Sequence, residues 1–151
     1  ELVADLMAKL NTKGCYTVPE KLLAEIQNQF WAGCCDDEGA KATMGKVFAD
    51  HKYLCDPHTA AGWAAAEEYI AETGDDRPMV VLSTASPYKF PAAVLDAIGG
   101  DLSGDEFTLM ERLEKLSSMP IPKNLSGLKG KEEKHTDVIA KDKMMEYVLN
   151  L

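Results

Sequence analysis

The sequence predicts an α/β fold, rich in helix, with short strands set between packed helices. Met79, Val80, Val81 and Leu82 form an apolar run bounded by Pro78 and a hydroxyl-rich turn, the pattern of a buried strand. Elsewhere apolar residues recur at helical spacing, and Pro, Gly and Asp punctuate the periodic stretches where helices start and stop. A hydrophobic content of 46% with two tryptophans suits a chain that buries a core and gives no compositional case for disorder.

Leu2, Val3, Leu6, Met7 and Leu10 share one face, so residues 2–10 are expected to be helical, with Gly14 available for a left-handed cap. Cys15 to Val18 is a candidate short strand. Pro19 opens a second helix carrying Leu22, Leu23, Ile26 and Phe30 to about Trp31. Residues 32–35 read equally as strand or loop. Asp36 and Asp37 place negative charge at the next helix start, which carries Ala40, Met44, Val47 and Phe48 and ends near His51. Tyr53 to Cys55 is a brief extended piece. Asp56 caps and Pro57 starts an alanine-rich helix to about Glu72, whose small side chains permit close packing.

The loop 74–78 then delivers the apolar strand. After it, Pro91 opens a helix with Val94, Leu95 and Ile98, stopped by Gly99 and Gly100. Ser103 to Glu106 has capping-box spacing before a helix that runs to about Ser118. Residues 119–130 hold two prolines and two glycines in this chain and read as a wandering surface loop, with the charged run 129–134 solvated. A last helix is expected from about Lys141, using Met144, Met145, Tyr147 and Val148.

The 151 residues suit one domain, 1–151, and the start at Glu1, directly into an apolar helix face, reads as a cut inside a longer protein. A net charge of −9 repels phosphate backbones and anionic lipid, which argues against nucleic acid or a membrane surface as partner. No apolar run reaches the roughly 18 residues of a membrane span, and no basic stretch leads an apolar one as in a signal peptide. The expected compartment is the cytoplasm, with Cys15, Cys34, Cys35 and Cys55 as free thiols.

The candidate site lies at the carboxyl end of the apolar strand, where open α/β sheets hold ligands and where Ser83, Thr84, Ser86 and Lys89 cluster. Strand-end turn chemistry explains the hydroxyls equally well. No catalytic triad is indicated, because Ser86 lies outside any G-x-S-x-G elbow. Asp56-Pro57-His58 reads as a helix cap, or as a helix start whose first turn places His58 and Thr59 near an anionic ligand. His51, Cys55 and His58, with Cys34 and Cys35 upstream, are soft metal ligands, but their spacing lacks zinc knuckles, and no metal is expected. Asp101 to Asp105 lacks the glycine and glutamate of a calcium loop. Neither a glycine-rich phosphate loop nor a lysine in a cofactor-attachment context occurs in the chain.

Two motifs carry a family resemblance. Tyr53-Leu54-Cys55-Asp56-Pro57-His58-Thr59-Ala60, followed by Leu82-Ser83-Thr84-Ala85-Ser86-Pro87-Tyr88-Lys89-Phe90-Pro91, resembles the C-terminal part of threonine synthases of the longer bacterial and fungal type. Thr12-Lys13-Gly14-Cys15-Tyr16 is similar to a weaker, earlier motif of the same family. The resemblance implies a fold-type II pyridoxal-phosphate enzyme, a carbon–oxygen lyase that turns O-phosphohomoserine and water into threonine and phosphate. It implies that the cofactor lysine and the cofactor's phosphate loop lie upstream of residues 1–151, so that the remainder of the polypeptide is the partner and the isolated chain is inactive.

Carried onto this sequence, the resemblance makes Thr84 the hydroxyl that faces the pyridine nitrogen of the cofactor, with Ser83 beside it. It implies substrate contacts from Ser86, Lys89, His58 and Thr59, and assigns no catalytic residue within the chain. Two rivals stay open at this point: another fold-type II lyase or dehydratase, and a non-enzymatic interaction domain stabilised by metal at the Cys/His cluster.

Overall fold

A computed structural model describes residues 1–151 as helices joined by irregular segments. The helices are α1 (Leu2–Lys13), α2 (Glu20–Gln27), α3 (Asp37–His51), α4 (Pro57–Thr73), α5 (Pro91–Ala97), α6 (Glu106–Ser117), α7 (Lys123–Ser126) and α8 (Met144–Leu149). Single 3-10 turns stand at Pro87–Lys89 and Lys141–Lys143.

Local chemistry sets most of the boundaries. Asp36 accepts a hydrogen bond from the Gly39 amide and caps α3, while Asp56 accepts from the His58 and Thr59 amides and caps α4, with Pro57 in the first helical position. Gly14 ends α1 in the left-handed region at φ 75°, which places the stop after Lys13. Several predicted boundaries shift, and α1 itself runs to Lys13 rather than ending at Leu10. Helix α2 stops at Gln27 rather than Trp31, unwinding through turn hydrogen bonds from the Gln29 and Phe30 amides to the Ile26 carbonyl, and it buries no residue. The cap of α6 is Asp105, which accepts from the Thr108 amide, rather than Ser103 of the capping box. Ser103 instead donates to Asp101.

The core is built on α3, α4, α5 and α6. Met44 and Val47 of α3, Ala60 of α4, Val94 and Leu95 of α5, and Leu109 and Leu113 of α6 form one buried cluster, joined by Leu54, Cys55 and Tyr88 from the connecting segments. Helix α3 packs against both α4 and α5, and α5 packs against α6. Burying each large aliphatic side chain contributes about 1.5–3 kcal/mol, so this cluster supplies the main cohesion. Helix α1 buries only Leu6, and α8 buries nothing.

The predicted short strands are not formed. Residues 79–83 are extended but make no backbone hydrogen bonds, and the stretches at Cys15–Val18 and Tyr53–Cys55 are likewise unpaired. A strand exists only as half of a ladder, and the chain offers the 79–83 segment no neighbour to pair with. Val81 packs over Gly62 of α4, whereas Val80 and Leu82 are 80% and 75% exposed. The apolar run is therefore neither paired nor buried as a strand. The 119–130 segment also departs from a plain surface loop, because it contains α7, and Ile121 and Leu125 pack against the core.

Candidate functional site

The hydroxyl-rich turn after the extended segment is held by its neighbours on both sides. Tyr53 donates to Ser83 Oγ at 3.2 Å, and Ser86 Oγ accepts from the Tyr88 amide at 3.3 Å, starting the 3-10 turn. Tyr88 is buried, and its hydroxyl donates to the Met119 carbonyl, which ties the turn to the segment that leads into α7. Burial pushes the Tyr88 hydroxyl pKa up, against a hydrogen bond with Ser117, so it stays a proton donor.

This framework shapes a cleft of about 330 Å³. Residues 83–86 and Lys89 line one side, and Pro122, Asn124 and Leu125 line the other. Thr84 sits exposed at the tip of the extended segment and opens onto the cleft. No acidic residue lines the space, and Lys89 has no carboxylate within 4.0 Å.

Four of the six sequence-predicted site residues, Ser83, Thr84, Ser86 and Lys89, thus share one cleft. His58 and Thr59 do not line it. The His58 ring lies 5.2 Å from that of Phe90, the residue after Lys89, and its Nδ1 is 3.2 Å from Asp56 Oδ1. Thr59 is buried, and its hydroxyl donates to the other Asp56 oxygen. Asp56 itself is fully buried. Burial acts to raise its pKa, but the hydrogen bonds from the Thr59 hydroxyl, the His58 and Thr59 amides and the His58 ring outweigh it and hold the carboxyl below its ordinary 3.8.

Asn124 was not legible from the sequence, because it enters the cleft from a segment 35 residues beyond Lys89 in the chain and no local pattern marks it. Tyr53 is similar: its role as donor to Ser83 depends on two loops meeting.

The Cys/His cluster does not assemble. No group of three His, Cys, Asp or Glu side chains is placed to hold a metal ion. His51 lies tilted against Trp63 instead, with ring centroids 5.7 Å apart, and all four cysteines are free. A larger groove of about 1020 Å³ runs between the α2–α3 linker, α4 and residues 75–79, with Trp31 edge-on to Tyr69 and Arg77 paired to Asp75. No helix is long and apolar enough to cross a membrane.

Comparison with known proteins converges on one family. The family model for the C-terminal region of threonine synthase matches residues 59–148, which is more than half of the chain. The chain is 32% identical over 126 residues to a threonine synthase of Saccharomyces cerevisiae, covering 79% of this chain and 24% of that protein. It is 34% identical over 121 residues to one from Pseudomonas aeruginosa, covering 78% and 25%. A crystal structure of threonine synthase from Brucella melitensis with bound pyridoxal phosphate superposes with a TM-score of 0.61 at 38% identity, over 74% of this chain and 24% of that one. The chain spans about a quarter of the length of these relatives. With the match running through α4, the extended segment and the cleft to α8, the chain belongs to the threonine synthase family and corresponds to its C-terminal region.

Proposed function

We propose that the chain forms one wall of the active site of a fold-type II pyridoxal-phosphate enzyme, a lyase whose complete polypeptide converts O-phosphohomoserine and water into threonine and phosphate. The observation that carries this is Thr84, exposed at the tip of the extended segment and opening onto a cleft with Ser83, Ser86 and Lys89. The cofactor, when bound, supplies an electron sink for reactions at the substrate's α and β carbons. These residues fit one edge of such a group, because they offer hydroxyls and a cation and present no carboxylate to repel its phosphate or ring oxygen.

Thr84 is the residue that faces the ring nitrogen. A hydroxyl there hydrogen-bonds the nitrogen without fixing a proton on it as an aspartate would, which moderates the sink and suits elimination and replacement chemistry. Ser83, oriented by Tyr53, supports the same edge of the ring. Ser86 and Lys89 extend toward the substrate, and His58, with Thr59 behind it through Asp56, flanks the Phe90 side. The exposed, strand-like face of Val80 and Leu82 fits a segment that completes its sheet with strands from the rest of the polypeptide. A cytoplasmic setting fits four cysteines with no disulfide among them.

The test uses the complete polypeptide. Thr84→Val keeps the volume and removes the hydroxyl, and kcat for threonine formation is expected to fall about tenfold or more with cofactor retained. An unchanged kcat overturns the role of Thr84, and no threonine from O-phosphohomoserine in the parent overturns the function.

A further inference from the structure

We infer that Tyr53 is a positioning residue for the site at the hydroxyl-rich turn: its hydroxyl fixes the Ser83 side chain and turns the Ser83 proton toward the cleft beside Thr84. The inference rests on the function proposed above for the group that receives this proton, while the contact between Tyr53 and Ser83 stands on the geometry alone.

The first observation is how little else holds the tip. Residues 78–85 make no backbone-to-backbone hydrogen bond, and the bond from Tyr53 to Ser83, at 3.2 Å, is the one hydrogen bond of any kind that they enter. Val81 packs over Gly62 of α4, but an apolar contact is non-directional and leaves the rotation of the tip open. The orientation of the hydroxyls beside Thr84 therefore depends on Tyr53.

Second, Tyr53 stands on a fixed base. Lys52 ends α3, its amide donating to the Phe48 carbonyl at 3.0 Å, and Asp56 caps α4. Between them Leu54 and Cys55 are buried in the core. The bridge from α3 to α4 is thus anchored on both sides, and the tyrosine it displays is a reference point for a segment that has no ladder of its own.

Third, the acceptor is of a different kind from those of the other bonded tyrosines. Tyr69 and Tyr147 donate to carboxylates and Tyr88 donates to a carbonyl, groups with no proton to pass on. Tyr53 donates to a hydroxyl. The phenol is the more acidic of the two and the better donor, so the Ser83 oxygen accepts and keeps its own proton to give. Accepting one hydrogen bond polarises that hydroxyl and strengthens the next. Because Ser83 lines the cleft, the strengthened donor is offered to the bound cofactor at the edge beside Thr84.

The contact adds little to folding. Tyr53 is 37% exposed and Ser83 is exposed, so water can take the place of either partner. Loss of the Tyr53 hydroxyl should register at the site and not in stability.

The experiment compares Tyr53→Phe, Ser83→Ala and the double variant in the complete, cofactor-loaded polypeptide, reading kcat and KM for threonine formation, the cofactor absorption band and the urea-unfolding midpoint. Tyr53→Phe is expected to lower kcat about three- to tenfold with KM little changed, to displace the cofactor band, and to leave the unfolding midpoint at the parent value. In the Ser83→Ala background the same substitution is expected to change neither kcat nor the band, because the hydroxyl it acts through is gone. A parent-like kcat and band in Tyr53→Phe overturns the inference. So does an equal effect in both backgrounds, which makes Tyr53 act independently of Ser83, and so does a lowered unfolding midpoint or failure to fold, which makes its role structural. A parent that binds pyridoxal phosphate but forms no threonine overturns the proposed reaction and leaves the band comparison to decide the role of Tyr53, whereas a parent that binds no pyridoxal phosphate overturns both.

Discussion

Asp56 shows how one buried carboxylate organises a helix start. It is fully buried, caps α4 through two backbone amides, and engages the Thr59 hydroxyl and the His58 ring. Replacing it with alanine removes the cap and orphans the buried Thr59 hydroxyl, a loss of about 2–3 kcal/mol measurable by urea unfolding. The pH dependence has a fixed sign. Because the folded carboxyl is held below the 3.8 of the unfolded chain, its contribution is complete above about pH 4 and is lost as pH falls through the folded value. The stability difference between parent and Asp56→Asn is therefore expected to be constant at neutral pH and to shrink below pH ~4; a difference that grows on acidification contradicts the depressed carboxyl. At this scale the sequence is informative where function is local. Ser83, Thr84, Ser86 and Lys89 meet because they are nearly consecutive, and Asp56 caps because capping spans three residues. Asn124 depends on a long-range meeting of segments, which no short pattern encodes.

Among the elements, helices with a cap at one end and a buried face were readable to within a residue or two, as α3 and α4 show. Elements lacking either were not. Helix α2 ends short of its apolar periodicity because its apolar face meets no core, and the Met79–Leu82 run reads as a buried strand because four apolar residues in a row cannot report whether a partner strand exists. The packing of α3 on α5 turns on Gly45, where a Cβ would stand 2.7 Å from the Ala97 carbonyl oxygen. Alanine raises intrinsic helix propensity by about 1 kcal/mol over glycine, yet this clash involves backbone on both sides and cannot be relieved by a rotamer change. Gly45→Ala is expected to destabilise the chain by about 1–3 kcal/mol in thermal or urea unfolding, and a stabilised variant would show that α3 and α5 do not approach so closely.

On the scale of the whole molecule, the chain keeps a compact four-helix core and an unusually open periphery. Val80, Leu82, Val138, Met145 and Leu149 are all exposed, as are Leu2, Val3 and Leu10 of α1. Under the proposed function, further polypeptide would cover part of this apolar surface, since the chain spans about a quarter of its relatives' length. The most direct measurement is a visible-absorbance titration with pyridoxal phosphate, run in parallel on residues 1–151 alone and on the complete polypeptide. The expected result is a saturating, stoichiometric cofactor band in the complete polypeptide and none in residues 1–151. A stoichiometric band from residues 1–151 alone would contradict the claim that this chain supplies only one wall of the cofactor site.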